Sequence, residues 1–178
     1  MVSVEKRLGN IVEIMTGVPG FSEVGSFEYR VVQPNTFNNA GIMELVELQN
    51  RADQLSERQL LISGDILVKR LNPSFVHVVM PESAGMVASQ NLLVVRPMEG
   101  VDPFYLGFLL EQKEIIGQVV HVTGSAAAIK AISIKKMADI MVPFIPITEQ
   151  RKVGEVWKLS RKRKQLLNDY MAESDRLV

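Results

Sequence analysis

Two histidines, His77 and His121, are the side chains best suited to proton transfer or metal ligation near neutral pH. His77 sits in the alternating run VHV and His121 in VVHVT, contexts in which a half-buried strand or helix residue is the plainer reading. Cysteine is absent, which excludes disulfides, thiolate zinc sites, iron–sulfur clusters and cysteine nucleophiles. There is no HExxH, no GxSxG elbow and no GxxxxGK[ST] phosphate loop. Gly17-Val18-Pro19-Gly20 reads as a turn, because Pro19 lacks the backbone N–H that a phosphate cradle uses. Asp65 follows Gly64 with no second acidic residue at ligand spacing, so it reads as a turn residue that organises a strand entry. The inventory points away from an enzyme and away from a metal or cofactor held by this chain.

Polar and basic clusters are the better lead. Gln33, Asn35, Thr36, Asn38 and Asn39 make an amide-rich loop, and Ser89, Gln90 and Asn91 precede an apolar run. Asn and Gln amides can pair with the donor–acceptor edge of adenine and can also hold phosphates. Lys69 and Arg70 close another apolar run and suit phosphate or guanine; Ser125 belongs to a Thr123-Gly124-Ser125 turn and Lys130 lies shortly after it. Together Gln33, Asn35, Asn38, Asn39, Lys69, Arg70, Ser89, Gln90, Asn91, Ser125 and Lys130 form a candidate DNA-binding set. A solvated turn is the competing reading for each cluster. Arg161 to Lys164 form a basic run that competes in the same way with a solvated helix face.

These residues must be carried by a chain of 178 residues, 47% apolar and 22% charged, the balance of a globular domain. Twenty basic side chains match twenty acidic ones, but residues 1–147 carry 12 basic and 15 acidic groups, and 148–178 carry 8 and 5. Bulk charge therefore makes no case for nucleic acid, and the case rests on local features. No apolar run approaches the roughly 18–20 residues needed to span a bilayer. MVSVEKRLGN carries charge where a signal peptide has its apolar core, so a cytoplasmic protein with no membrane contact is expected.

Runs at Ile11–Met15, Phe27–Val32, Met43–Leu48, Asp65–Lys69, Phe75–Met80 and Leu92–Val95, bounded by turn residues, predict the strands of one sheet. Gln49–Leu60 reads as a loop or short helix. Asp102 before Pro103 predicts the cap of an apolar helix through Ile116, Ser133 that of a short helix to Ala138, and Ile140–Phe144 a strand. Helices and strands do not alternate regularly, so the expected class is α+β with a mixed sheet. The expected domains are a body at 1–147 and a helix at 148–178 capped by Thr148. Val153, Val156, Trp157, Leu166, Leu167, Tyr170 and Leu177 fall at mainly three- and four-residue spacings on it. Thirty-one residues at ~1.5 Å each make a rod of about 46 Å. Such a rod overhangs a body whose radius of gyration is ~15 Å, and its apolar stripe asks for a partner helix.

Several phrases in order, RLGNIVEIMTG, LISGDILVKR, SQNLLVVRP, DPFYLGFLL and TGSAAAIKAISIKKMADIMVPFIPITEQRKV, resemble the specificity (S) subunit of type I restriction-modification systems. The likeness runs from about Leu8 to the C-terminus, and its most specific part is IMVPFIP followed by TEQ, Ile140 to Gln150. It implies a target recognition domain followed by a spacer helix that pairs as an antiparallel coiled coil. It further implies double-stranded DNA as ligand and methyltransferase (M) and restriction (R) subunits as partners. S-adenosylmethionine would sit in the M subunit, with no cofactor here. A full S subunit has two recognition domains and two helices, and this sequence has one of each. The resemblance therefore implies a homodimer, pairing with another S subunit, or a truncated copy. Base-reading residues differ between members of the family, so the likeness assigns no single contact. The rival expectation is an S-like adaptor that binds protein through its helix and does not read DNA.

Overall fold

A computed structural model describes residues 4–21, 25–38, 41, 43, 49–71, 75–120 and 131–176. Its centre is a four-stranded antiparallel sheet in the order β2-β8-β5-β6: β2 (Val12–Thr16), β8 (Leu92–Pro97), β5 (Ile66–Lys69) and β6 (Val76–Val78). Strand β5 is apolar at three successive positions because the sheet is covered on both faces. Ile66, Val68, Leu93 and Val95 face Tyr105, Leu106, Leu109 and Leu110 of α1 (Pro103–Glu111). The alternate residues Leu67, Leu92 and Val94 face a second core with Val32, Leu61, Val79, Met86 and Ala88.

The second core is closed by a three-stranded sheet, β4-β3-β7. In it β3 (Phe27–Val32) runs antiparallel to β4 (Gln49–Ala52) and parallel to β7 (Val87–Ala88). A two-stranded ribbon pairs β1 (Val4–Arg7) with β9 (Met141–Phe144), Val4 opposite Phe144. The mixed sheets and the long C-terminal helix bear out the α+β expectation, but the single sheet expected from the strand runs is three sheets. Gln49–Ala52 is a strand and not a loop or helix, because it completes the hydrogen bonding of β3. Of the run expected at Met43–Leu48, Met43 forms a bridge to Phe37 and the rest lies outside the described residues.

Asp102 caps α1 as expected, its Oδ1 accepting from Tyr105 N at 2.8 Å. The apolar helix does not run unbroken to Ile116: Gln112 is extended (φ −69°, ψ 132°) and separates α1 from α2 (Lys113–Val120). Ser133 Oγ accepts from Lys136 N at 3.2 Å and caps α3 (Ile134–Ala138). The last helix, α4 (Ile147–Arg176), is 30 residues long. Thr148 is not its cap. The helix already begins at Ile147, and Glu149 N and Gln150 N donate to the carbonyl of Pro146.

Asp65 does what a strand-entry residue should. Its side chain is wholly buried, Ile62 N donates to its Oδ2, and Arg96 Nε and Nη2 donate to its two oxygens at 2.8 Å each. This fork holds the guanidinium more firmly protonated than usual, and Arg96 Nη2 also reaches the carbonyl of Leu60. Exposed ion pairs join Arg7 to Asp139 and Arg58 to Glu13. Among the described residues no helix is long and apolar enough to cross a membrane.

Candidate nucleic-acid interface

Three chain reversals converge at one edge of the molecule. Gln33 leaves the end of β3, where Ser89 N donates to the carbonyl of Val32 at 2.9 Å. The Ser89–Asn91 turn then leads into β8 at Leu92, which lies opposite Lys69 at the end of β5. Arg70 N donates to the carbonyl of Asn91 at 3.1 Å, and Gln90 N to that of Val18 at 3.0 Å. The backbone of the turn is thus held on both sides while the side chains of Gln90 and Asn91 stand exposed. Gln33, Lys69 and Arg70 are half-buried beside them, and Asn35 is exposed on the short turn that follows Gln33. Sequence-distant clusters read separately as DNA candidates are therefore brought together here. Amides on a rigid turn next to a lysine suit base edges and phosphates respectively.

Not every member of that set is available. Ser89 is buried and its Oγ has no hydrogen-bond partner, so its side chain does not reach the surface. Arg70 is a tie before it is a reader: Nη1 donates to the carbonyl of Gln90 at 2.9 Å and Nε to that of Ile132 at 3.5 Å, while Ile132 N returns a bond to the Arg70 carbonyl. Asn38 is half-buried, and its carbonyl accepts from Gly41 N at 2.9 Å. Asn39, Ser125 and Lys130 lie outside the described residues, as does His121. His77 is no surface base. Burial and the neighbouring Arg161 guanidinium hold its imidazole down at about 4, and its buried Nε2 has no partner. Among the described residues no group of three or more His, Asp or Glu is placed to hold a metal.

Helix α4 meets the body through Gln150, Val153, Gly154 and Trp157, of which sequence periodicity assigns Val153 and Trp157 to a partner helix. Gln150 is fully buried: its Oε1 accepts from Asp102 N at 2.9 Å, and its Nε2 donates to the carbonyls of Ile145 (2.8 Å) and Gly100 (3.3 Å). Gly154 lies so close to α1 that a Cβ there would stand 2.4 Å from Asp102 Oδ1 and 2.8 Å from Tyr105 N. Val153 and Trp157 pack on the α1 core, and Trp157 lies over Gly107 and donates to Glu111 Oε2 at 2.7 Å. Both are expected in the dimerisation stripe; in this structure they are half-buried, packing on the chain's own body while still lining an open groove. The basic run divides as well: Arg161 is engaged with the body, whereas Lys162, Arg163 and Lys164 are exposed.

Beyond that root the helix is uncovered. Val156, Leu159, Leu166, Leu167, Tyr170 and Met171 are between 52% and 73% exposed, and no part of the described chain covers them. Leu177 lies outside the described residues. At the root, an open apolar groove of about 490 Å³ lined by Phe108, Val153, Val156 and Trp157 continues the stripe.

No protein-family model matches the sequence, and no curated protein does. Solved structures do. The HsdS subunit from Thermoanaerobacter tengcongensis superposes with a TM-score of 0.67 at 17% identity over 98% of this chain. A chain from a structure of the assembly and conformational transition of the type I R-M system gives 0.71 at 18% over 98%. The type I restriction-modification S subunit from M. genitalium gives 0.64 at 13% over 99%. The fold is that of type I S subunits. More particularly, the chain spans 46%, 46% and 43% of the lengths of these three neighbours, a little under half of each.

Proposed function

We propose that this chain is a DNA specificity subunit of a type I restriction-modification system that reads one half-site per copy and pairs through α4. The carrying observation is the apolar stripe of α4, which points away from its own body on a helix built onto an S-subunit fold. Chemistry is left to partners. M and R subunits would methylate and cleave, and S-adenosylmethionine would belong to the M subunit. At the edge, Gln90 and Asn91 are the best placed to read bases, with Gln33 and Asn35 beside them and Lys69 on phosphate.

Antiparallel pairing of two copies follows from charge as well as from shape. The root of α4 carries Arg151, Lys152 and Lys158 against Glu149 and Glu155, a small positive excess, and its tip carries Asp169, Glu173 and Asp175 against Arg176, a negative one. An antiparallel pair sets tip against root and opposes these charges, whereas a parallel pair would align like with like. It also brings Leu167 and Tyr170 of the second copy against the groove at Val153, Val156 and Trp157. Lys162, Arg163 and Lys164 of both copies then gather at the midpoint, where phosphates between the half-sites would offset their repulsion. A two-fold pair presents the same surface twice, so the target is two identical inverted half-sites. At ~1.5 Å per residue and ~3.4 Å per base pair, α4 sets their centres roughly 10–15 base pairs apart.

Exchanging Leu166 and Tyr170 for lysine tests the pairing. Neither side chain packs on the body, so thermal stability should hold, while the mass measured by light scattering should fall from about twice 19.9 kDa to that of one chain. An unchanged double mass would count against α4 as the joint. A dimer that binds no DNA, alone or with an M subunit, would favour the adaptor reading.

A further inference from the structure

One guanidinium gathers three parts of the fold. Arg161, two turns beyond Gly154 on α4, donates through Nη1 to Glu111 Oε1 at 2.7 Å. Its Nη2 donates to the carbonyl of Gly41 at 3.1 Å and to that of Val76 at 2.9 Å. Glu111 takes the Trp157 indole on its other oxygen, and the Arg161 guanidinium lies 5.4 Å from the Trp157 ring. Helix α4, the end of α1, strand β6 and the β3–β4 connection are thereby joined at one point. That connection is the loop bearing Gln33, Asn35 and Asn38. Gly41 has a left-handed backbone (φ +71°), and a Cβ there would stand 2.8 Å from Phe75 Cβ and 3.2 Å from Arg161 Nη2, so the backbone at Gly41 lies close against the arginine. From Gly41 the line continues by its N–H to the carbonyl of Asn38, beside Phe37, which stacks on Phe75 at 4.3 Å.

We infer that Arg161 is a positioning residue that couples the direction of α4 to the amide loop of the DNA-facing edge, so that pairing of the helices and reading of bases are linked through it. The inference rests on the DNA-reading function proposed above. Three features favour coupling over mere anchorage. Gln150, Gly154 and Val153 already fasten the helix root. Arg161 adds two backbone carbonyls outside α1. Only a planar fork of donors reaches a carboxylate and two carbonyls at once, which a lysine ammonium on one flexible stem does not reproduce.

Arg161→Lys in the full chain separates the roles, with Glu111→Gln as a second variant that preserves an acceptor for Trp157. Two readouts are taken beside thermal stability and mass: amide hydrogen exchange at residues 37–43, and the ratio of affinities for the selected site over random duplex. The expected result is exchange at Gly41 and Asn38 accelerated at least tenfold, with α4 and β5 unchanged. The affinity ratio should fall at least fivefold while affinity for random duplex stays within twofold, and Glu111→Gln should move both readouts in the same direction by less. Unchanged exchange at 37–43 would overturn the tie itself, whether or not DNA is bound. Faster exchange with an unaltered affinity ratio would overturn the coupling to reading. A wild-type chain that discriminates no site, alone or with an M subunit, would instead remove the DNA-reading function, and the coupling with it.

Discussion

Replacing Asp65 with alanine is expected to remove about 3–5 kcal/mol of folding stability, because it leaves a largely buried arginine without its counter-ion. The carboxylate is fully buried and accepts from Arg96 on both oxygens and from Ile62 N, so three donors lose their acceptor together. The same guanidinium ties β8 to Leu60, and the pair therefore fastens the central sheet to the segment that closes the second core. Urea titration followed by far-ultraviolet circular dichroism measures the change. Combining Asp65→Leu with Arg96→Met should recover much of the loss, since removing both charges ends the desolvation penalty. A single-variant loss below about 1 kcal/mol would show that the pair is dispensable, as surface pairs commonly are.

Gly154→Ala should lower stability by about 1–3 kcal/mol, the range for overpacking a close contact. The sign is the informative part, because the same change in an exposed helix interior normally gains about 1 kcal/mol. Here the added methyl would meet Asp102 Oδ1 at 2.4 Å and the backbone N of Tyr105 at 2.8 Å. One contact is a helix cap and the other is main chain, and neither yields without moving α4 off α1. Gly154→Leu should be worse and should detach the helix root, seen as loss of protection at Gln150 and Trp157 in hydrogen exchange. A gain of stability in Gly154→Ala would contradict the close approach of the two helices.

Most of the core was legible because period-two and period-three-or-four patterns report burial directly. The β5 and β8 runs, the Asp102 and Ser133 caps and the extent of α4 follow from local chemistry. What was hidden depends on contacts between distant segments. Gln49–Ala52 is polar yet forms a strand, since β3 supplies the hydrogen bonds that its side chains do not advertise. Trp157 and Val153 carry the same heptad signal whether they face a second helix or their own domain. Gly154 was the one hint, since a glycine in an uninterrupted helix suggests that another backbone comes near. Arg161 resembled its three basic neighbours, and nothing local distinguishes the one that reaches a carboxylate and two carbonyls. At the edge, the amides of Gln90 and Asn91 could be picked out by type. That Ser89 turns inward and that Arg70 turns its Nε and Nη1 to carbonyls is visible only in three dimensions.

The central claim, that two copies read two inverted half-sites set apart by α4, is tested most directly by selecting bound DNA from a random duplex library. The purified chain is used at moderate salt, alone and with an M subunit. The account expects a bipartite inverted motif whose halves lie roughly 10–15 base pairs apart, the span set by α4. Enrichment of a single uninterrupted site, or of no site under either condition, would contradict it.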